Sequence, residues 1–320
     1  MKKSRIALLF LSVLITLLVG TKNVKAIGGI FSTNLAVLYN KPEWGTTGNL
    51  LTNVEVAERF NLVIYSRTKM LQNLSQYVGA GFNGISLVYL TALDRIAAPN
   101  GNFVQGSDQT RNCTAEEKTY KPYSDNVNMD IGDFCEIQDA ITASSRGENN
   151  CLREYPDICP TENFFLHKAD GSRYAKASGN GFSYRPNPAS PQYQNYVKYR
   201  ALREIQGGIE IDADGTQRTH VASGATGIFL DNLELSWEKL VSQGGQPQEF
   251  SISADYSNAV AQLVAQTHQD FPYPLWANLI SSPEVGNEWD RFIADGSLEG
   301  AMMENFALNW GRGKYDVAKI

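Results

Sequence analysis

From residue 35 onward, short apolar runs alternate with segments of helical spacing. LAVLYN (Leu35–Asn40), NLVIYS (Asn61–Ser66) and GISLVYL (Gly84–Leu90) are strand-like, rich in Val, Ile, Leu and Tyr. Between them, NVEVAERF (Asn53–Phe60) and TKMLQNLSQYVGAG (Thr68–Gly81) have helical character, the second closing on Gly. Strand, helix, strand, helix, strand within about 55 residues predicts parallel strands joined by crossover helices. The strand runs are apolar throughout rather than alternating, as expected of strands covered on both faces.

The rhythm breaks after the third run. Residues from about 96 to 160 are polar, rich in Asn, Gly and Asp, and hold every cysteine of the chain. This stretch is expected to be an elaborate loop. NFFLHKADGSRYA (Asn163–Ala175), with its Asp170-Gly171 pair, predicts a hairpin. A helix is expected from near Pro191 to Gln206, since proline suits a first helical turn. IEIDADGTQRTHVA (Ile209–Ala222) predicts a second hairpin. Its Asp212 and Asp214 resemble the start of a calcium loop, but the required Gly and Glu do not follow.

The alternation then resumes. GIFLDN is a fourth strand, Ser251–Pro272 a helix, PLWANL (Pro274–Leu279) a fifth strand, Ser282–Gly296 a helix and GAMMENF (Gly300–Phe306) a sixth strand. KYDVAKI at the end has helical character. Six such units predict an α/β fold of the (β/α)8 TIM-barrel type, interrupted by the cysteine-bearing insertion. The expected barrel is C-terminally truncated after about six strands, with the remaining two beyond Ile320. A doubly wound sheet is the alternative, but G-x-G-x-x-G after the first strand is missing.

The first 26 residues form a separate object. Lys2, Lys3 and Arg5 precede the apolar run Ile6–Gly20, and Val24-Lys25-Ala26 fits a small-x-small cleavage site. This is the pattern of a secretory signal peptide. The run is short for a membrane span, which needs about 20 apolar residues. Residues 27–320 are then the mature domain, secreted or periplasmic, with membrane contact only through an uncleaved signal peptide. Residues 1–26 hold five basic side chains and no acidic one, so the rest carries 23 basic against 34 acidic residues, a net −11. Such a surface repels phosphate backbones and argues against nucleic acid as a partner. Cys113, Cys135, Cys151 and Cys159 are four cysteines in an exported insertion, which predicts two disulfides in any of three pairings. No C-x-x-C or His pair at ligand spacing supports a metal, and no cofactor motif appears.

In a barrel, chemistry gathers at the C-terminal strand ends. Those ends carry Tyr39, Tyr89, Asp231-Asn232, Asn278 and Glu304-Asn305. Two carboxylates facing one cleft are what glycoside hydrolysis requires: one ionised to attack or activate water, one protonated to serve the leaving oxygen. Asp231 is the expected nucleophile or base, near amide donors. Glu304 is the expected acid, beside apolar Met302, Met303 and Phe306. Asn232, Asn278 and Asn305 are candidate sugar-binding amides. Tyr39, Tyr89, Trp44 and Trp276 are candidate stacking groups, and His167 is a candidate cleft residue.

GIFLDN, WAN and MMENF, with the early AVLYN and the FFLHKADG segment, together resemble the TIM-barrel glycoside hydrolases called hypothetical glycosyl hydrolase family 15. The chain is similar, more distantly, to endo-α-1,4-polygalactosaminidases. The likeness spans roughly residues 31–310, interrupted by the insertion. It implies a barrel, an exported enzyme, a polysaccharide or oligosaccharide substrate, and Asp231 and Glu304 as the catalytic pair. A carbohydrate-binding pseudoenzyme on the same scaffold is the alternative.

Overall fold

The computed structural model describes residues 35–37, 52–93, 96–98, 113, 131–178, 181–211, 215–280, 292, 295–302, 308–309 and 314–315. Their centre is a six-stranded sheet of β1 (Leu35–Val37), β2 (Leu62–Tyr65), β3 (Ile85–Thr91), β9 (Gly227–Glu234), β10 (Leu275–Ile280) and β11 (Gly300–Met302). These strands lie side by side in that order, and every pairing is parallel.

The order decides the architecture. It rises steadily along the chain, so right-handed crossovers place the connecting helices on one face. The core has two unequal sides to match. Val63, Tyr65, Val88, Leu90, Ile228, Leu230, Leu275 and Ala277 pack in the large cluster with helix residues such as Met70, Tyr77, Val197, Val260 and Leu263. The intervening positions Leu62, Ile64, Leu87, Phe229 and Trp276 form a separate small cluster, with Ile85 and Tyr89 packed against it. The second face is the one without crossover helices.

This corrects the expectation of a (β/α)8 barrel. Among the described residues the sheet is open, with β1 and β11 at its two edges and no pairing between them. Strand-helix rhythm specifies which strands become parallel neighbours. It does not specify closure, which requires the first and last strands to meet.

Local signals explain the helices. In α1 (Asn53–Arg59), Thr52 and Glu55 form a reciprocal capping box: the Glu55 amide donates to Thr52 Oγ1 at 3.2 Å, and the Thr52 amide donates to Glu55 Oε2 at 2.8 Å. α2 (Arg67–Gly79) returns the chain toward β3, burying Met70, Leu74 and Tyr77.

Between β3 and β9 the chain is not a plain loop. It contains β4 (Ile96–Ala98) and the helix α3 (Ile131–Ser145). β5 (Ala175–Ser178) and β6 (Gly181–Tyr184) join β4 in an antiparallel sheet of order β4-β6-β5. The expected Asp170-Gly171 turn is closed by a bridge between His167 and Arg173. α4 (Pro191–Gln206) has Ser190 as N-cap and proline in its first turn. It ends at Gly207, whose φ is 70°. A Cβ there would lie 2.5 Å from the His220 carbonyl oxygen, so only glycine fits. β7 (Gly208–Ile211) and β8 (Gln217–His220) form the second expected hairpin.

α5 (Glu238–Gly244) is a helix that the alternation of runs does not signal, while α6 (Ser253–His268) matches the helix expected there. At the end, β12 (Leu308–Asn309) pairs antiparallel with β13 (Lys314–Tyr315), so Lys314 and Tyr315 are strand rather than the expected helix.

Two disulfides tie the insertion, Cys113 to Cys135 and Cys151 to Cys159. The second closes a short loop whose Leu152 and Ile158 enter the core and whose Tyr155 stacks on Tyr199 of α4. Among the described residues no helix is long and apolar enough to cross a membrane. Disulfides in such a chain are compatible with a secreted or extracellular protein.

Candidate functional site

Asp231 does not end its strand. β9 continues to Glu234, and a bulge accommodates the polar residues. Ala277 pairs with Leu230 and Leu279 with Leu233, so Asp231 and Asn232 together stand opposite Asn278. A bulge adds one residue to one strand and re-aims the side chains around it. The core shows the phase change: Ile228 and Leu230 face the helices, and then Leu233 and Leu235 do.

On the helix-free face, Asp231 follows Phe229, and Asn278 follows Trp276. Asp231 is 6% exposed and Asn278 3%. Both carboxylate oxygens of Asp231 accept hydrogen bonds. Asn278 Nδ2 donates to Oδ1 at 2.8 Å, and the Tyr89 hydroxyl donates to Oδ2. Thr91 pairs with Asp231 across the β3–β9 ladder, and the Ala92 amide donates to the Asp231 backbone carbonyl at 3.1 Å. Three adjacent strands thus converge on one carboxylate, with neutral donors on both of its oxygens. Buried polar groups held this way are fixed in orientation. A carboxyl group held through both oxygens is fixed in orientation, and each oxygen keeps a further lone pair for a ligand.

Trp276 lies in the apolar layer beneath this group, 9% exposed. Its indole covers Gly300 of the next strand, where a Cβ would come within 2.6 Å of the ring. Trp276 is thus a packing residue in this conformation, whereas Tyr89 reaches the carboxylate directly. Asn232 lies inside β9. Tyr39, Trp44, Glu304 and Asn305 lie outside the described residues, as do residues 1–26.

His167 is engaged elsewhere. Its Nδ1 is 2.5 Å from Glu249 Oε1 and its Nε2 is 3.2 Å from Glu162 Oε1. Its backbone amide also donates to Glu249, at 3.0 and 3.1 Å. With a carboxylate against each ring nitrogen, the imidazole retains both protons. Hydrogen bonds to Glu162 and then Glu249 raise its pKa to about 9 against the opposing effect of burial. Burial pushes Glu162 up, but hydrogen bonds from Arg173 and His167 outweigh it and bring the group down to about 2. Arg173 also stacks over Phe165, 4.1 Å from the ring centroid, and donates to Gln138 of α3 at 2.8 Å. The cluster joins the insertion helix to the loops around Phe165 and Pro247. That is an anchoring arrangement.

Two clefts of about 450 and 310 Å³ open on the described surface. Both flank α3: Glu136, Asp139, Arg146 and Arg153 line the larger, and Gln138, Glu162, Ser172 and Arg173 the smaller. Neither includes Asp231. They are open and polar, without the apolar walls and convergent groups that mark a ligand pocket. The constellation around Asp231 carries more chemical information than either. Among the described residues no group of three or more His, Cys, Asp and Glu side chains is placed to hold a metal ion.

Ser66, the residue after β2, is 5% exposed and closes the apolar run Leu62–Tyr65.

No protein-family model matches the chain, and no curated protein matches it.

Proposed function

We propose that the protein is a secreted glycoside hydrolase acting on a polysaccharide, with Asp231 as nucleophile or base and Glu304 as the acid. The observation that carries this reading is the environment of Asp231. It is a buried carboxylate in the C-terminal half of a central parallel strand, with Tyr89 and Asn278 donating to separate oxygens. Parallel α/β sheets place their ligands at the carboxyl ends of the strands. Glu304 enters from the sequence, two positions beyond the last residue of β11. The resemblance of GIFLDN, WAN and MMENF to glycoside hydrolases supports the same pair, and the acidic composition fits a neutral or amine-bearing substrate.

The test is release of reducing ends from a panel of polysaccharides by wild type, Asp231→Asn and Glu304→Gln. Removal of an acid or base group lowers turnover by about 10²–10⁴-fold. Equal release by all three proteins would discard the assigned chemistry. Binding by wild type without any release would replace the enzyme with a carbohydrate-binding pseudoenzyme.

A further inference from the structure

Ser66 stands where β2 passes into α2. Its Oγ is buried and has no hydrogen-bond partner among the described residues, and as N-cap it makes no side-chain bond to the helix that follows. This is unusual for an N-cap serine, which normally accepts from an amide of the first turn. A buried hydroxyl without a partner is costly in a folded protein and requires a reason.

Its position supplies one. Leu62 and Ile64 face the helix-free side, so alternation along β2 puts Ser66 on that side too. The neighbours Val63 and Tyr65 face the helices. Tyr65 pairs with Val88, which brings Ser66 beside Tyr89 in the parallel register. Tyr89 donates to Asp231. Ser66, Tyr89, Asp231 and Asn278 therefore form one polar row across four adjacent strands, directly beyond the apolar layer of Ile64, Leu87, Phe229 and Trp276. The first amides of α2 start at the same point. The earliest bond within the helix is from Met70 to the Ser66 carbonyl, at 2.9 Å, so the amides before it have no partner inside the helix.

We infer that Ser66 is a substrate-binding residue whose hydroxyl is satisfied by a hydroxyl group of a bound sugar. The inference rests on the glycoside hydrolase reading and extends its site by one strand. A serine hydroxyl both donates and accepts, and a sugar hydroxyl does the same, so each can complete the other. The row then has a division of labour: Tyr89 and Asn278 orient the carboxylate, and Ser66 holds the ring that Asp231 addresses.

The experiment compares wild type with Ser66→Ala and Ser66→Cys, the second preserving volume. The probes are short oligosaccharides of glucose, galactose, glucosamine and N-acetylglucosamine, and the readouts are thermal midpoint without ligand, KM and kcat. Without ligand, both variants are expected to melt at or above the wild-type midpoint, because an unpaired buried hydroxyl is removed. On a cleaved probe, KM is expected to rise about three- to tenfold with kcat little changed, the loss of one neutral hydrogen bond. Lower midpoints in both variants would show that the hydroxyl already serves the fold and would overturn the inference. Unchanged KM with an active wild type would overturn it while leaving the hydrolase reading intact. If wild type binds the probes without cleaving them, the hydrolase reading fails. The same fold-loss in dissociation constant then supports Ser66 as a ligand contact, and an unchanged constant overturns it. A wild type that neither cleaves nor binds any probe overturns both.

Discussion

The cluster around His167 makes the stability of this protein depend on pH in a defined window. The imidazole has an ordinary pKa of 6.5, and in the fold it is raised to about 9 by Glu162 and Glu249. Between those values the folded chain keeps a proton that the unfolded chain has lost. Stability from this source is therefore complete below about pH 6.5 and is lost as pH rises through about 9. The linkage limit is about 3 kcal/mol. The Glu162 side chain is 51% exposed, so solvent screens part of the interaction, and about 1–2 kcal/mol is the expected loss. For a chain of this size that moves the thermal midpoint by about 1.5–3 °C. The assay is thermal unfolding of wild type and His167→Gln at intervals across that range. Taking the difference between the two proteins cancels the titrating groups that do not contact His167. Wild type should be the more stable below about pH 6.5, and the gap should narrow steadily toward alkaline pH. A gap that stays constant across the range would refute the reasoning, because the imidazole would then contribute by packing and not by charge.

Gly300→Ala places a methyl group within 2.6 Å of the Trp276 ring, so either the indole or β11 must move. Overpacking of this kind costs about 1–3 kcal/mol, read from the urea midpoint, and a neutral substitution would show that the two strands are not packed as described. Opening Cys113–Cys135 releases a loop of 22 residues and opening Cys151–Cys159 one of 8, with expected losses of about 3.4 and 2.5 kcal/mol respectively on the loop-entropy relation. Paired Cys→Ser variants measured separately check that order, and a larger loss at the short loop would point to packing of Leu152, Tyr155 and Ile158 as the dominant contribution.

Much of this fold is legible in local pattern. The runs at Leu62–Tyr65, Ile85–Thr91 and Leu275–Ile280 are strands, as their largely apolar character predicts. The helix from Pro191 to Gln206 begins where proline signals it, and Gly207 ends it. The two disulfides follow from four cysteines confined to one segment. Other features escape for specific reasons. α3 sits in a stretch whose flanks are polar and whose composition suggests a loop, and its burial comes from contacts with distant residues such as Tyr184. His167 has an ordinary sequence setting, and its two carboxylate partners lie 5 and 82 positions away. Asp231 is conspicuous as a carboxylate closing an apolar run. What it touches is not, because Tyr89 is 142 positions before it and Asn278 is 47 after it.

The chain by itself determined the repeating units, the placement of the central strands and the polar residues they carry. Those depend on period, propensity and turn chemistry, which act over a few neighbours. Only the tertiary structure decided that the described sheet is open, that a bulge stands opposite Asn278, that Ser66 shares a row with Asp231 and that His167 is held between two carboxylates. Each of those is a pairing across long stretches of chain, set by which edges and faces meet in space, and no local pattern encodes that meeting.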